Sequence, residues 1–444
     1  MPLFSRRILL VGGLLLLIWV YSRYISVDSP VAELVEKPEF EGYVRPVNDA
    51  HAGYIQIEDH SQRMINARKL AVDRKYCGGT CRFIVPIVIT EQESKAQFHF
   101  RQLAFLSGMV GRTIVLPNVF RSHLGACRHL PFSFYYEYDW LDRNKEHFNY
   151  ITLDDFRAWA RERQQAGAVA TAEELSIELT EQAMSSHLQT NCLKHLFDFG
   201  DSSMARFVLE DPETISRRQG DYTEILKNEL LKHDHVETIH LYYDRRFGFI
   251  DETEAHRPLS YNRRWNDVAD RIADQLHPFV AVHWRMERLE PIDNLVPCAE
   301  NLVHQLKALM NVKNVFLLTD YPHLLNASKT ATESMSFRAD ELRPEHHAAI
   351  RHVYESVDVT VTALERPGVV YDGLPASWHI VTIPPFQRPV DASVLGIVDK
   401  LIAMRADWFL SGQPGVCGKL SSFTTRIIEE RNRLGLPHDI FTTQ

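Results

Sequence analysis

The sequence predicts an α/β protein built from two halves behind an amino-terminal membrane anchor, and three observations carry that reading. The first is a β-α-β unit. Phe83–Ile89 is a continuous apolar run, residues 97–109 place Phe98, Leu103 and Leu106 at helical spacing, and Thr113 to Pro117 is a second apolar strand. The second is that the same alternation returns near residue 263, with a helix over 265–276, a strand over 279–283, a helix over 297–310 and a strand over 315–318. The third is the uncharged stretch from Ile8 to Tyr21, which follows Arg6 and Arg7.

That stretch covers about 21 Å as a helix at 1.5 Å per residue, short of a hydrocarbon core without its flanks. No small-x-small cleavage pattern precedes Ser29-Pro30, and two arginines against one favour a cytosolic amino terminus. The reading is a type II signal anchor in the Golgi or endoplasmic reticulum with a lumenal body, since a short span suits those thinner membranes. Six cysteines, at 77, 81, 127, 192, 298 and 417, then imply disulfides. Cys77 and Cys81 could instead form a redox or zinc pair, but no second pair at ligand spacing follows. Asn326-Ala-Ser328 is the one glycosylation sequon and agrees with a lumenal body.

A formal net charge of −9 and the lack of a long basic run exclude broad nucleic-acid binding. Four segments follow in order. Residues 1–26 are cytosolic tail and anchor, 27–75 a polar stem, 76–262 an amino-terminal α/β domain with a helical insert, and 263–444 a carboxyl-terminal α/β domain. Within them Thr152 reads as a helix N-cap, 170–235 as mostly helical and 236–242 as a strand. Val369-Val370, a strand over 380–383 and a helix over 390–404 complete the second half.

Two stretches hold the chemistry. Phe279 to Pro291 runs from an apolar strand into His283, Trp284, Arg285, Met286, Glu287 and Arg288. In an extended chain His283, Arg285 and Glu287 share one face. The strand end is either leaving the core for solvent or binding an anion at the carboxyl edge of a parallel sheet. In the second stretch, Ser421, Ser422 and Thr424 stand where a loop enters a helix. They serve as N-caps, or they hold a phosphate together with free backbone N–H groups. Asp320, following Thr319 at a strand end, is a nucleotide contact or a helix N-cap.

Three segments together resemble the GDP-fucose protein O-fucosyltransferases and their plant relatives. They are RQLAFLSGMVGRTIVLP (101–117), VAVHWRMERLEP (280–291) with Cys298 downstream, and VDKLIAMRADWF (398–409) followed by Ser421-Ser422-Phe423-Thr424. The resemblance spans roughly residues 83–430 with long unmatched stretches, and the ordered His-x-Arg and Ser-Ser-Phe motifs are its specific part. It implies a GT-B-like fold, two Rossmann-type domains facing a cleft, with the acceptor on the first and the nucleotide sugar on the second. It also implies transfer of fucose from GDP-fucose to a protein or glycan hydroxyl, with inversion and with neither metal nor cofactor. The sequence agrees in lacking any Asp-x-Asp.

On this resemblance Arg285 neutralises the departing diphosphate, which suits a planar fork that binds phosphate oxygens bidentately. His283 and Trp284 contact the nucleotide sugar, Asp399 accepts hydrogen bonds from guanine, and Ser421, Ser422 and Phe423 line the diphosphate pocket. The chain departs from the family at its first loop, ITEQESKAQFHF (89–100), which has no glycine. One branch of the family carries a catalytic glutamate there. Counting back from Leu103 places it at Glu91, with Glu93 two residues on; the loop is otherwise a solvated acidic turn. Two other readings stay open: a transferase of a different nucleotide sugar, and an inactive lumenal homologue that binds one.

Overall fold

The computed structural model describes residues 60–443 apart from 179–189, 201–203, 210–218, 245–248, 310–312, 322–336, 338, 366–376 and 387–388. The candidate anchor, Asn326 and Val369-Val370 fall outside the described residues. Among the described residues no helix is long and apolar enough to cross a membrane. Residues 59–444 form one compact unit.

The first part of that unit runs α1 (His60–Cys77), β1 (Phe83–Ile89), α2 (Glu93–Met109), β2 (Thr113–Val115), β3 (Val119–Phe120) and β4 (His123–Leu124). It continues through α3 (Asp139–Arg143), β5 (Tyr150–Ile151), α4 (Leu153–Gln165), β6 (Ala172–Glu178), β7 (Met204–Val208), α5 (Gln219–Lys232) and β8 (Thr238–Tyr243). Its eight strands form one sheet in the order β3-β4-β1-β8-β6-β7, with β2 paired to β1 and β5 to the far side of β2. β1 is buried on both faces, which is why its sequence is apolar throughout. Thr152 caps α4 by accepting a hydrogen bond from the Asp155 N–H at 3.1 Å. Phe156 and Trp159 of that helix then pack edge-on against Phe83 of β1. The helix α1 docks on α4 through an ion pair of Asp73 with Arg163, 2.7 Å apart and both buried.

The expectation of a mostly helical 170–235 is corrected. Ala172–Glu178 and Met204–Val208 are parallel strands, and only Gln219–Lys232 is an α-helix among the described residues. The run AEELSIE carries good helix formers, but β6 lies between β8 and β7. Leu175 and Ile177 fill one face, while Glu174 and Glu178 on the other take Lys194 and Arg206 as partners. Tertiary pairing has overridden local propensity.

The second part runs α6 (Thr253–His256), α7 (Arg263–Leu276), β9 (Phe279–Trp284), α8 (Leu295–Ala308), β10 (Asn314–Thr319), α9 (Pro344–Ser356) and β11 (Val359–Leu364). It ends with β12 (His379–Ile383), α10 (Val394–Arg405), β13 (Trp408–Gly412), α11 (Ser422–Leu434) and β14 (His438–Phe441). Its six strands are all parallel, in the order β12-β11-β10-β9-β13-β14. α7 buries Trp265, Val268, Ala269, Ile272, Ala273 and Leu276, one apolar stripe at 3.6-residue period. α10 is buried almost all round, because apolar residues of both sheets share one core with it. Arg431 of α11, fully buried, donates to the carbonyls of Ala403 and Ala406 and ties α11 to the end of α10.

All six cysteines pair, as Cys77–Cys81, Cys127–Cys192 and Cys298–Cys417. The third bond anchors the loop between β13 and α11 to α8.

Candidate active site

β9 lies between β10 and β13 in the centre of the second sheet, so its carboxyl end opens at the edge where parallel α/β folds bind ligands. The strand stops at Trp284. Arg285 and Met286 leave the ladder, and Glu287 and Arg288 form a turn with Arg288 at φ 48°. His283, Arg285 and Glu287 are therefore not one extended row, as the spacing had suggested. The cause is Asp320, directly after β10, whose carboxylate accepts the Met286 N–H at 2.8 Å and the Glu287 N–H at 3.0 Å. Asp320 thus caps a neighbouring loop.

The strand end does not lead into solvent. His283, Met286 and Glu287 are buried, and the Arg285 side chain is 25% exposed. Arg285 donates to Glu287, whose carboxylate also lies 3.5 Å from the Lys419 ammonium. Two cations flank one carboxylate there. Arg288, by contrast, points outward to Glu341 and is 52% exposed.

The imidazole of His283 stacks on Phe423, with ring centroids 4.9 Å apart, and its Nδ1 shares a hydrogen bond with Thr424 Oγ1 at 2.7 Å. Burial, followed by the Arg285 charge, pushes its pKa down to about 3, so the ring is neutral. Ser421 caps α11 by accepting the Phe423 N–H at 3.2 Å, and Ser422 is the first helical residue. The two motifs picked out in the sequence therefore meet. Trp284 does not join them: it faces the opposite core, and its indole N–H is held by the Cys417 carbonyl at 2.6 Å.

Asp399 and Lys400 approach from α10. The Asp399 carboxylate accepts a hydrogen bond from the Thr362 hydroxyl at the end of β11. Lys400, 1% exposed, lies 5.1 Å from the Phe423 ring centroid. Its ammonium donates to Glu93, Ser94 and the Tyr261 hydroxyl, each at 2.7 Å. Glu93 further accepts from Tyr136 and Tyr261 at 2.9 Å. Burial opposes the Glu93 charge, but the Lys400 ammonium and the tyrosine hydroxyls outweigh it and hold its pKa below the usual carboxylate value. Burial likewise lowers Lys400, against the pull of Glu93. Sequence reasoning missed Lys400, although a lone Asp-Lys pair inside an otherwise apolar helix was its visible signal.

Glu91 stands apart from this network. It follows β1, adopts φ 75°, keeps 23% of its side chain exposed and lies 3.5 Å from the Lys95 ammonium. A positive φ is costly for a side chain of this kind and concentrates at functional sites. A separate cavity of about 330 Å³ lies between α7 and β12, bordered by Arg271, Ile272, His379 and Ile383, and none of these site residues lines it.

No protein-family model and no curated protein matches the chain. Among solved structures it is similar to POFUT1 in complex with GDP-fucose, at 13% identity and TM-score 0.48, over 82% of this chain and 99% of that one. It is also similar to POFUT1 in complex with GDP, at 14% identity and TM-score 0.45, over 82% and 98%. A third is the fucosyltransferase NodZ from Bradyrhizobium, at 13% identity and TM-score 0.36, over 78% and 91%. These similar structures are fucosyltransferases, but at such identities and TM-scores the likeness carries no argument about chemistry or residue roles.

Proposed function

We propose that the chain is a glycosyltransferase that moves fucose from GDP-fucose to a protein or glycan hydroxyl, with inversion and without a metal ion. The observation that carries this reading is the junction of His283 with Phe423 and Thr424, motifs 141 residues apart in sequence, beside Arg285 at a parallel-sheet edge. A neutral imidazole, an aromatic ring and the cations Arg285 and Lys419 make a surface suited to a nucleoside diphosphate. Arg285 exchanges the Glu287 carboxylate for the β-phosphate and stabilises the charge that develops as the glycosidic bond breaks. Asp399 reads the guanine, and Ser421, Ser422 and Phe423 border the diphosphate.

Glu91 is the base that accepts the acceptor's hydroxyl proton, attack coming from the face opposite the departing diphosphate. Glu93 is unsuited to that task, since Lys400 and two tyrosines already hold its carboxylate. The body is lumenal, anchored by residues 8–21 in the Golgi or endoplasmic reticulum, a placement that three disulfides support.

The test is to incubate the full chain with a panel of nucleotide sugars and follow the released nucleotide. GDP released from GDP-fucose alone supports the assignment. Turnover of a UDP- or CMP-sugar assigns a different donor, and GDP binding without any turnover marks a binding protein.

A further inference from the structure

The Arg285–Met286–Glu287 segment is fixed through its backbone from three sides. Asp320 takes the Met286 and Glu287 N–H groups, His346 of α9 contacts the Met286 carbonyl at 3.3 Å, and the Lys419 N–H donates to the Arg285 carbonyl at 3.1 Å. His346 Nδ1 accepts the Arg343 N–H at 3.0 Å, so its proton sits on Nε2 and points at Met286. Of these holds, only Asp320 receives two N–H groups at once, which requires both carboxylate oxygens as acceptors. An amide side chain has one acceptor oxygen and turns an NH₂ donor toward the other N–H, and a protonated carboxyl offers the second N–H only the weaker acceptor of its hydroxyl oxygen.

Resting on the reading above, we infer that ionised Asp320 is a positioning residue for the transfer reaction: it sets the backbone that aims the Arg285 fork at the leaving diphosphate. The charged groups around it are Arg285 and Glu287 on the held segment and Lys419 beside Glu287, and the titratable His346 faces the same segment from α9 as a neutral ring. Burial raises the Asp320 pKa to about 6, the Glu287 charge adds to this, and the two N–H groups and Arg285 oppose it. The direction is informative. A carboxyl raised above its ordinary 3.8 contributes stability that is full below that value and lost as pH rises through about 6. The charged form that grips the loop at neutral pH therefore costs the fold, as expected of a group kept for activity.

The experiment measures kcat and GDP-fucose Kd for the full chain from pH 5 to 8, in wild type, Asp320→Asn and Asp320→Glu. With a pKa of about 6 only about a tenth of the carboxylate remains at pH 5, so wild-type kcat should fall about tenfold between pH 7.5 and 5. Asp320→Asn should be at least about tenfold slower at pH 7.5 and flat with pH. Asp320→Glu, which keeps the charge, should retain an acid limb, and it carries the test if the amide variant does not fold. An amide variant with the wild-type limb intact, slow or not, overturns the inference, as does a wild type without one. If wild type neither binds GDP nor turns over GDP-fucose, the transferase reading itself falls, and the inference falls with it.

Discussion

His283 offers a measurement that needs no substrate. Its pKa is about 3 in the fold against an ordinary 6.5, so the neutral ring contributes stability that is present above about 6.5 and lost as pH falls toward 3. At about 1.36 kcal/mol per pKa unit, protonation of the unfolded chain between pH 7 and pH 5 should remove about 2 kcal/mol through this residue alone. His283→Phe keeps a ring against Phe423 but has no proton to bind. The lost Thr424 hydrogen bond lowers its stability equally at both pH values. His240, buried and pushed down to about 4, makes a similar contribution in both proteins and cancels. Urea unfolding of a 59–444 fragment at pH 7 and pH 5 then yields the difference. Wild type should lose about 2 kcal/mol more than His283→Phe over that interval. Equal losses would show that the imidazole is not held neutral, and the packing of β9 on α11 would need a different account.

Other outcomes follow from the same geometry. Arg285→Lys keeps the charge but not the planar fork, so kcat should fall by about 10²–10³ while GDP-fucose Kd changes less; Arg288→Lys, on the solvent side of the turn, should leave kcat near wild type. Comparable kcat in both variants would remove Arg285 from the mechanism. Ser422→Ala and Asp399→Ala should each weaken GDP binding by about 1–3 kcal/mol, read by titration calorimetry, and unchanged affinity in both would empty the proposed pocket. Replacing Cys298 and Cys417 together by alanine opens a link across 119 residues and should cost about 2–5 kcal/mol in urea unfolding.

The parts legible in the sequence are those where one local signal suffices. Phe83–Ile89 shows its strand because both faces are covered, and α7 shows its helix because only one is. Val359–Leu364 was passed over because TVT breaks the apolar run, although Thr362 faces Asp399. Trp408–Gly412 was not picked out as a strand, since only two residues separate its short run from the helix before it. At the site, the order of the His-x-Arg and Ser-Ser-Phe motifs was visible, whereas their stacking is a property of the fold. The role of Asp320 depends on the N–H groups of two residues on a neighbouring loop, and backbone donors leave no trace in a sequence.

The Glu93–Lys400 pair has a consequence for how the molecule is made. The two residues lie 307 positions apart, on helices that follow different sheets. At about 5–20 residues per second, ribosomes deliver Lys400 about 15–60 s after Glu93. Throughout that interval the first sheet carries a carboxylate whose burial has no cation to match it, so the amino end of α2 cannot settle into its final place. The earlier half of the chain must wait, with that end hydrated, for a lysine the ribosome has not yet read. A fragment that ends before α10 would keep that carboxylate without its cation.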